Sequence, residues 1–263
     1  MSLPTLLAAG LVATSLLMLL VWLAAVRLRN AGIVDVAWAA SFLILVALYA
    51  WLAGGWLPRT AAVVVVTALW SLRLTAHLHR RVMGHHPVED SRYVALRRDH
   101  APHADRWFFW FFQAQAVAAV GLSLPMALAI RHDTPWFHPI EWAALALWAV
   151  AFAGESLADT QLARFKADPA NRGRTCQVGL WRYSRHPNYF FEWLIWGAFA
   201  LLALPAPFGW LGLLSPLAML YLLLRVTGIP AAEAASLASR GDEYRDYQRR
   251  TSAFVPWFPR SHP

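Results

Sequence analysis

Residues 3–26 read LPTLLAAGLVATSLLMLLVWLAAV, from Leu3 to Val26 without one charged side chain. A helix rises about 1.5 Å per residue, so a run of this length crosses the roughly 30 Å hydrocarbon layer of a bilayer. No basic segment precedes the run and it is long enough to span, so it reads as a membrane helix rather than a secretory signal. Further apolar runs follow at 31–53, 60–78, 107–130, 139–158, 188–204 and 209–227. Pro58, Pro125, Pro135, Pro139, Pro205, Pro207 and Pro230 fall near their ends, where proline punctuates helices. The expected fold is therefore all-α: a polytopic membrane helix bundle with seven transmembrane helices.

The whole composition agrees with that expectation. Apolar residues make up 59% of the 263 and charged residues 14%, against about 45–50% and about 25% in soluble domains. Mean hydropathy is +0.42. A net charge of +8 would suggest nucleic acid in a soluble chain. Here the cations lie between the apolar runs. Links 27–30, 79–106, 159–187 and the tail after 228 hold nineteen Lys and Arg, whereas the opposite links hold only Arg59 and Arg131. By the positive-inside rule this places the N-terminus outside and the C-terminus in the cytoplasm, in a multi-pass protein of the cell membrane. Membrane lipids are the expected surroundings, with no nucleic-acid partner, and no obligate protein partner is readable. The chain reads as one membrane domain over 1–263. Residues 1–158 supply five helices; 159–263 supply the polar loops where a cofactor would be sought, two helices and a tail helix at about 231–250.

Several chemistries are excluded by pattern. Cys176 is the single cysteine, so there is no intramolecular disulfide framework. No GxGxxG follows a strand, and neither HExxH nor a serine nucleophile elbow occurs. His85 and His86 before Glu89-Asp90-Ser91-Arg92-Tyr93 match no familiar metal spacing, and no metal is expected.

Ionisable residues inside apolar runs are costly unless paired or hydrated, so each is a functional candidate. Asp35 is either a site acid, a partner of Arg73, or an acid near a helix N-terminus. Arg73 and His77, four apart, share one helical face, as do Glu155 and Asp159. The two acids suit ribose hydroxyls, or else pair with Arg164 or Lys166. The densest stretch runs from Arg164 and Lys166 through Asn171-Arg172-Gly173-Arg174. It continues to Gly179-Leu180-Trp181-Arg182-Tyr183-Ser184-Arg185-His186-Pro187-Asn188-Tyr189-Phe190-Phe191-Glu192. Its cations suit phosphates, and Asn188 and Glu192 share the inner face of the following helix. A positive-inside loop with an aromatic belt would account for the arginines but not for Glu192. In the tail, Glu233, Arg240, Tyr244, Tyr247 and Arg250 are either cofactor contacts or members of a solvated face with Glu243 and Asp246.

The stretch Gly179–Glu192, with Arg225-Val226-Thr227-Gly228-Ile229-Pro230 and Gly241-Asp242-Glu243-Tyr244-Arg245-Asp246-Tyr247, resembles the C-terminal half of the steroid 5-alpha-reductase family, in particular its bacterial membrane relatives. Ile33-Val34-Asp35-Val36-Ala37-Trp38, Leu69-Trp70-Ser71-Leu72-Arg73 and Glu89-Asp90-Ser91-Arg92-Tyr93 extend the resemblance. It implies an NADPH-dependent reductase that saturates the C=C bond of a lipophilic enone, such as a 3-oxo-4-ene steroid, entering from the bilayer. Asp35 takes the position of the family's site acid. The family's tyrosine falls near Trp70, where no tyrosine stands, leaving Tyr93 or His77 as donor. The cofactor contacts implied are Asp159, Lys166, Asn188 and Glu192, with Glu155 in place of an asparagine. Arg164, Arg174, Arg182, Tyr183, Arg185, His186, Tyr189 and Arg225 are added, along with the tail residues. Arg185-His186-Pro187-x-Tyr189 with a tail glutamate also resembles S-adenosylmethionine-dependent membrane methyltransferases of the isoprenylcysteine carboxyl type. That is the alternative enzyme, and a non-enzymatic lipid-binding or assembly protein is the third reading.

Overall fold

A computed structural model describes residues 1–84 and 86–260; His85 lies outside the described residues. Eleven α-helices follow one another among them: α1 Leu3–Leu28, α2 Ile33–Ala53, α3 Leu57–Met83, α4 Ser91–Asp99, α5 Ala104–Leu122, α6 Leu124–Arg131, α7 Pro139–Ala167, α8 Pro187–Ala203, α9 Leu214–Tyr221, α10 Ile229–Arg240 and α11 Asp242–Arg250. Among the described residues there is no strand, only an isolated bridge between Ser184 and Ser252. The chain is an all-α membrane protein. Among the described residues, six stretches are long and apolar enough to cross a bilayer: Leu3–Leu28, Ile33–Ala53, Leu57–Met83, Ala104–Arg131, Pro139–Ala167 and Gly209–Arg240. The run expected at 188–204 forms α8, which at 17 residues is shorter than these.

The chain divides into two compact units, Met1–His138 with Leu202–Gly212, and Pro139–Leu201 with Leu213–Pro263. In the first, Ser2 caps α1 by accepting the Thr5 N–H, and Pro4 occupies its first turn. A β-carbon on Gly10 would lie 2.8 Å from both Leu45 and Tyr49, so glycine lets α1 and α2 touch closely. Trp38, Phe42 and Trp70 meet edge to face between α2 and α3, and the Ser71 hydroxyl donates to the Ala39 carbonyl at 2.6 Å. Arg59 is buried at the start of α3, where its guanidinium donates to the carbonyls of His132, Thr134 and Trp136. Those carbonyls follow α6 and have no helical partner of their own, so the arginine closes the loop.

The run expected as one helix at 107–130 is two. Ser123, whose hydroxyl contacts Tyr49 Oη at 2.9 Å, stands between α5 and α6, and Pro125 denies the next turn its amide donor.

In the second unit, a β-carbon on Gly154 would lie 2.5 Å from the Phe191 ring, so α7 and α8 pack through a glycine. The loop between them is held on α7 by two bonds: Trp181 Nε1 donates to the Ala158 carbonyl and the Leu180 N–H to Gln161 Oε1, each at 2.9 Å. The last apolar run opens as a 3₁₀ turn at Gly209–Leu213, becomes α9, and widens to a π turn at Leu222–Val226. The tail expected as one helix at 231–250 breaks at Gly241, whose φ of +54° favours glycine.

Gly55 tests the packing of the first unit. Its missing side chain leaves the Ile130 carbonyl oxygen 1.8 Å from where a β-carbon would sit, whereas Gly121 faces open space. Gly55→Ala should lower the apparent unfolding temperature in detergent by about 5 °C or more, as overpacking of a few kcal/mol does in a chain of this size. Gly121→Ala should leave it unchanged or raise it. Equal behaviour of the two variants would refute the close approach at Gly55.

Candidate functional site

Asp35 lies in the first turn of α2 and is a hub of the first unit. Its Oδ1 accepts the Tyr93 hydroxyl at 2.6 Å; its Oδ2 accepts Arg81 Nη2 at 3.0 Å and Arg92 Nη2 at 3.1 Å. The loop before α4 makes this geometry. Asp90 caps α4 by accepting the Arg92 N–H at 3.0 Å, and its carboxylate also binds the Arg92 guanidinium. Glu89 accepts the Ala31 N–H at 2.6 Å and both Nε and Nη2 of Arg97, whose Nη1 reaches Asp105. The Glu89-Asp90 pair thus latches α4 to the start of α2 and to α5.

Electrostatics sharpen the role of each group. Tyr93 is buried against Phe108 and Phe111. Burial and the adjoining Asp35 charge push its pKa well above the ordinary phenol value, so it keeps its proton. Burial of Asp90 opposes its ionisation, but the bonds from Arg92 outweigh that and hold its pKa below the usual carboxylate value. The result is a protonated phenol bonded to a carboxylate that two guanidiniums balance.

The expected Asp35–Arg73 pair is not formed; Arg81, Arg92 and Tyr93 are the partners of Asp35. At 3.6 residues per turn, Arg73 lies about 200° around α3 from Ser71, which faces α2. Arg73 is half-buried there and His77, one turn on, is exposed. Trp70 is fully buried against Phe42, a core position rather than a donor.

In the second unit, Asn188 Nδ2 donates to Asp159 Oδ1 at 3.3 Å, which brings the acids of α7 next to the polar face of α8. Glu155 is buried one turn before Asp159. Glu192, one turn after Asn188, is buried and accepts Trp196 Nε1 at 2.9 Å. The Asn188 amide oxygen is buried and receives no hydrogen bond from the protein, an acceptor turned to a donor the chain does not supply.

The remaining predicted residues separate into two groups. Arg164, Lys166, Arg174, Arg182 and Arg225 are exposed. Arg185 is almost enclosed: Nε and Nη2 bind Glu233 at 2.7 and 2.6 Å, and Nη1 donates to the carbonyls of Gln248 and Thr251. His186 Nε2 lies 3.3 Å from the same Glu233 oxygen, and its ring stacks on Tyr189. Gln248 donates to the other Glu233 oxygen at 2.8 Å. Tyr247 donates to the Trp181 carbonyl, and Tyr183 packs its ring against Phe258. Arg240 lies over the Tyr244 ring, and Arg250 pairs with Asp246. Burial pushes the pKa of both Tyr244 and Tyr247 up, so both phenols stay neutral. Arg185 and Glu233 therefore clamp the tail to the loop before α8.

Sequence reasoning did not single out Arg81, Arg92 as a partner of Asp35, or Gln248. The available signal was Asp90 before Ser91, a helix-capping pattern that implies α4 and so turns Arg92 and Tyr93.

A curated relative, an uncharacterized protein of Schizosaccharomyces pombe, is 29% identical over a match covering 78% of this chain and 65% of the relative. The chain thus spans just under two thirds of that relative's length. No solved structure matches the chain. The model of the family described as "Protein of unknown function (DUF1295)" matches residues 21–251. The chain, with its buried acids on paired helices and its clamped tail, belongs to that family.

Proposed function

We propose that the protein is an NADPH-dependent membrane reductase that saturates the C=C bond of a lipophilic enone, such as a 3-oxo-4-ene steroid. The observation that carries this reading is the Tyr93–Asp35 hydrogen bond within reach of Arg81 and Arg92. The family includes steroid 5-alpha-reductase-like membrane proteins, and a phenol beside an acid is what such a reaction needs where the enolate oxygen forms. The topology that goes with it has α8 as a seventh crossing, the N-terminus outside and the tail in the cytoplasm. The substrate enters from the lipid of the cell membrane.

The residues present fit the cofactor. The Asn188 amide oxygen lacks a donor, and a carboxamide N–H is one. Glu155, Asp159 and Glu192 are acceptors suited to ribose hydroxyls. The exposed guanidiniums of Arg164, Arg174 and Arg182 suit phosphates. When bound, NADPH supplies the hydride for the β carbon of the enone. Tyr93 supplies the other half of the reaction. Its O–H turns from Asp35 to the ketone oxygen and stabilises the enolate as charge develops, and the enolate then takes a proton from water at its α carbon to give the saturated ketone. Until the ketone arrives, Asp35, held by Arg81 and Arg92, orients the phenol and keeps it protonated. A methyltransferase would draw on Arg185, His186 and a tail acid. Glu233, the acid beside that pair, accepts from Arg185, His186 and Gln248 and holds the tail in place.

Thermal unfolding of detergent-purified protein with NADPH, NADH and S-adenosylmethionine in separate samples tests the cofactor. NADPH at 100 times its Kd should stabilise the wild type by about 2.7 kcal/mol. Asn188→Ala and Glu192→Ala should remove the shift, and a shift with S-adenosylmethionine alone would overturn the reading. Tyr93→Phe should keep the NADPH shift and lower kcat on an accepted enone by about 10²–10⁴-fold. Because the Tyr93 pKa is raised, wild-type kcat should hold through about pH 10, where an ordinary phenol ionises. Full activity of Tyr93→Phe would rule out the phenol as donor.

A further inference from the structure

We propose that the cleft between α11 and the returning C-terminal segment binds a phosphate group carried on an apolar or aromatic body. The cleft has a volume of about 390 Å³, within the range of small-molecule sites. Its lining includes Arg185, Arg249, Arg250 and Arg260 and, among the described residues, contains no carboxylate. Two acids lie behind these cations: Asp246 binds both Arg249 and Arg250, and Glu233 binds Arg185. Among the described residues, four guanidiniums against two carboxylates leave the cleft positive. Arg250 Nε is buried and finds no acceptor in the protein, and a phosphate oxygen is the acceptor that guanidinium geometry fits best.

The site is built rather than accidental. After α11 the chain turns back, and main-chain bonds fix it at three places. The Arg185 N–H donates to the Ser252 carbonyl at 2.8 Å, the Trp257 N–H to Tyr183 at 2.9 Å, and the Arg260 N–H to Arg250 at 2.9 Å. That fold-back brings Arg260 beside Arg249 and Arg250. It also sets Trp257 and Phe258, 70% and 75% exposed, in the wall of the cleft. Exposed aromatic rings beside cations cost free energy in water, and they suit a ligand with an anionic head and a carbon body. Two sources share this chemistry, an anionic phospholipid headgroup and a soluble organic phosphate. The inference does not rest on the reductase reading.

The test uses the full chain in neutral detergent, with apparent unfolding temperature followed against inorganic phosphate and against chloride at equal ionic strength. Phosphate should stabilise the wild type beyond chloride. The double variant Arg249→Gln/Arg260→Gln, which changes exposed side chains, should weaken phosphate by about tenfold or more. Trp257→Ala should leave inorganic phosphate binding intact and weaken an organic phosphate. In nanodiscs of phosphatidylcholine with and without phosphatidylglycerol, a phosphate effect erased by phosphatidylglycerol identifies the headgroup. An effect that persists in both membranes identifies the soluble ligand. Phosphate no better than chloride, or a double variant that binds it like the wild type, would overturn the proposal.

Discussion

A carboxylate at the edge of a hydrocarbon layer must be balanced by nearby charge or hydrogen bonds, and Asp35 is balanced by groups from two other helices. Arg81 comes from the end of α3, Arg92 and Tyr93 from α4. Neither arginine is deeply buried, at 44% and 43% exposed, while the Asp35 side chain is 19% exposed. The network therefore sits where solvent screens some of its charge, so its importance is more positional than energetic. It fixes the short helix α4 over the start of α2, and the Glu89 bond to the Ala31 amide completes the same attachment.

The second unit uses an equivalent device built from different residues. There the ion pair is well enclosed: the Arg185 side chain is 10% exposed and that of Glu233 16%. Arg185 satisfies a carboxylate and two carbonyls at once, which lysine, with its single ammonium, would not reproduce in the same geometry. The clamp holds the tail while the neighbouring polar face of α8 keeps an acceptor unfilled at Asn188. Arg185 thus maintains shape, while the Asn188 amide oxygen, just beyond Pro187, is buried without a protein donor.

The sequence announces the spanning helices because hydropathy acts over about twenty residues and survives errors at the ends. The start of α8 is readable too, since Pro187 has a fixed φ and no amide to lose. The Asp159–Asn188 meeting is partly legible, from acids and amide on adjacent helices. The partners of Asp35 are not. Arg73 is the nearer cation along the chain, yet it lies on the wrong side of α3, and a long side chain from Arg81 reaches back instead. Likewise Arg185 reads as one of many loop cations, because nothing local distinguishes a guanidinium that will meet Glu233 forty-eight positions on. The breaks at Ser123 and Gly241 are visible as residues but not as breaks, since either residue is tolerated inside a helix when its neighbours are apolar or helix-forming.

The π turn at Leu222–Val226 has a consequence for how this chain can change over time. A π turn holds one residue more than the α turn it replaces, and the chain leaves helical geometry directly after it, at Gly228 with φ −87° and ψ −101°, before α10 begins. Glu233 is presented to Arg185 from beyond this joint. Loss of a single codon there would leave hydropathy and composition almost untouched, yet it would remove the extra residue from which the chain turns into α10. The segment is thus a frame-setting joint, in which residue number outweighs residue identity.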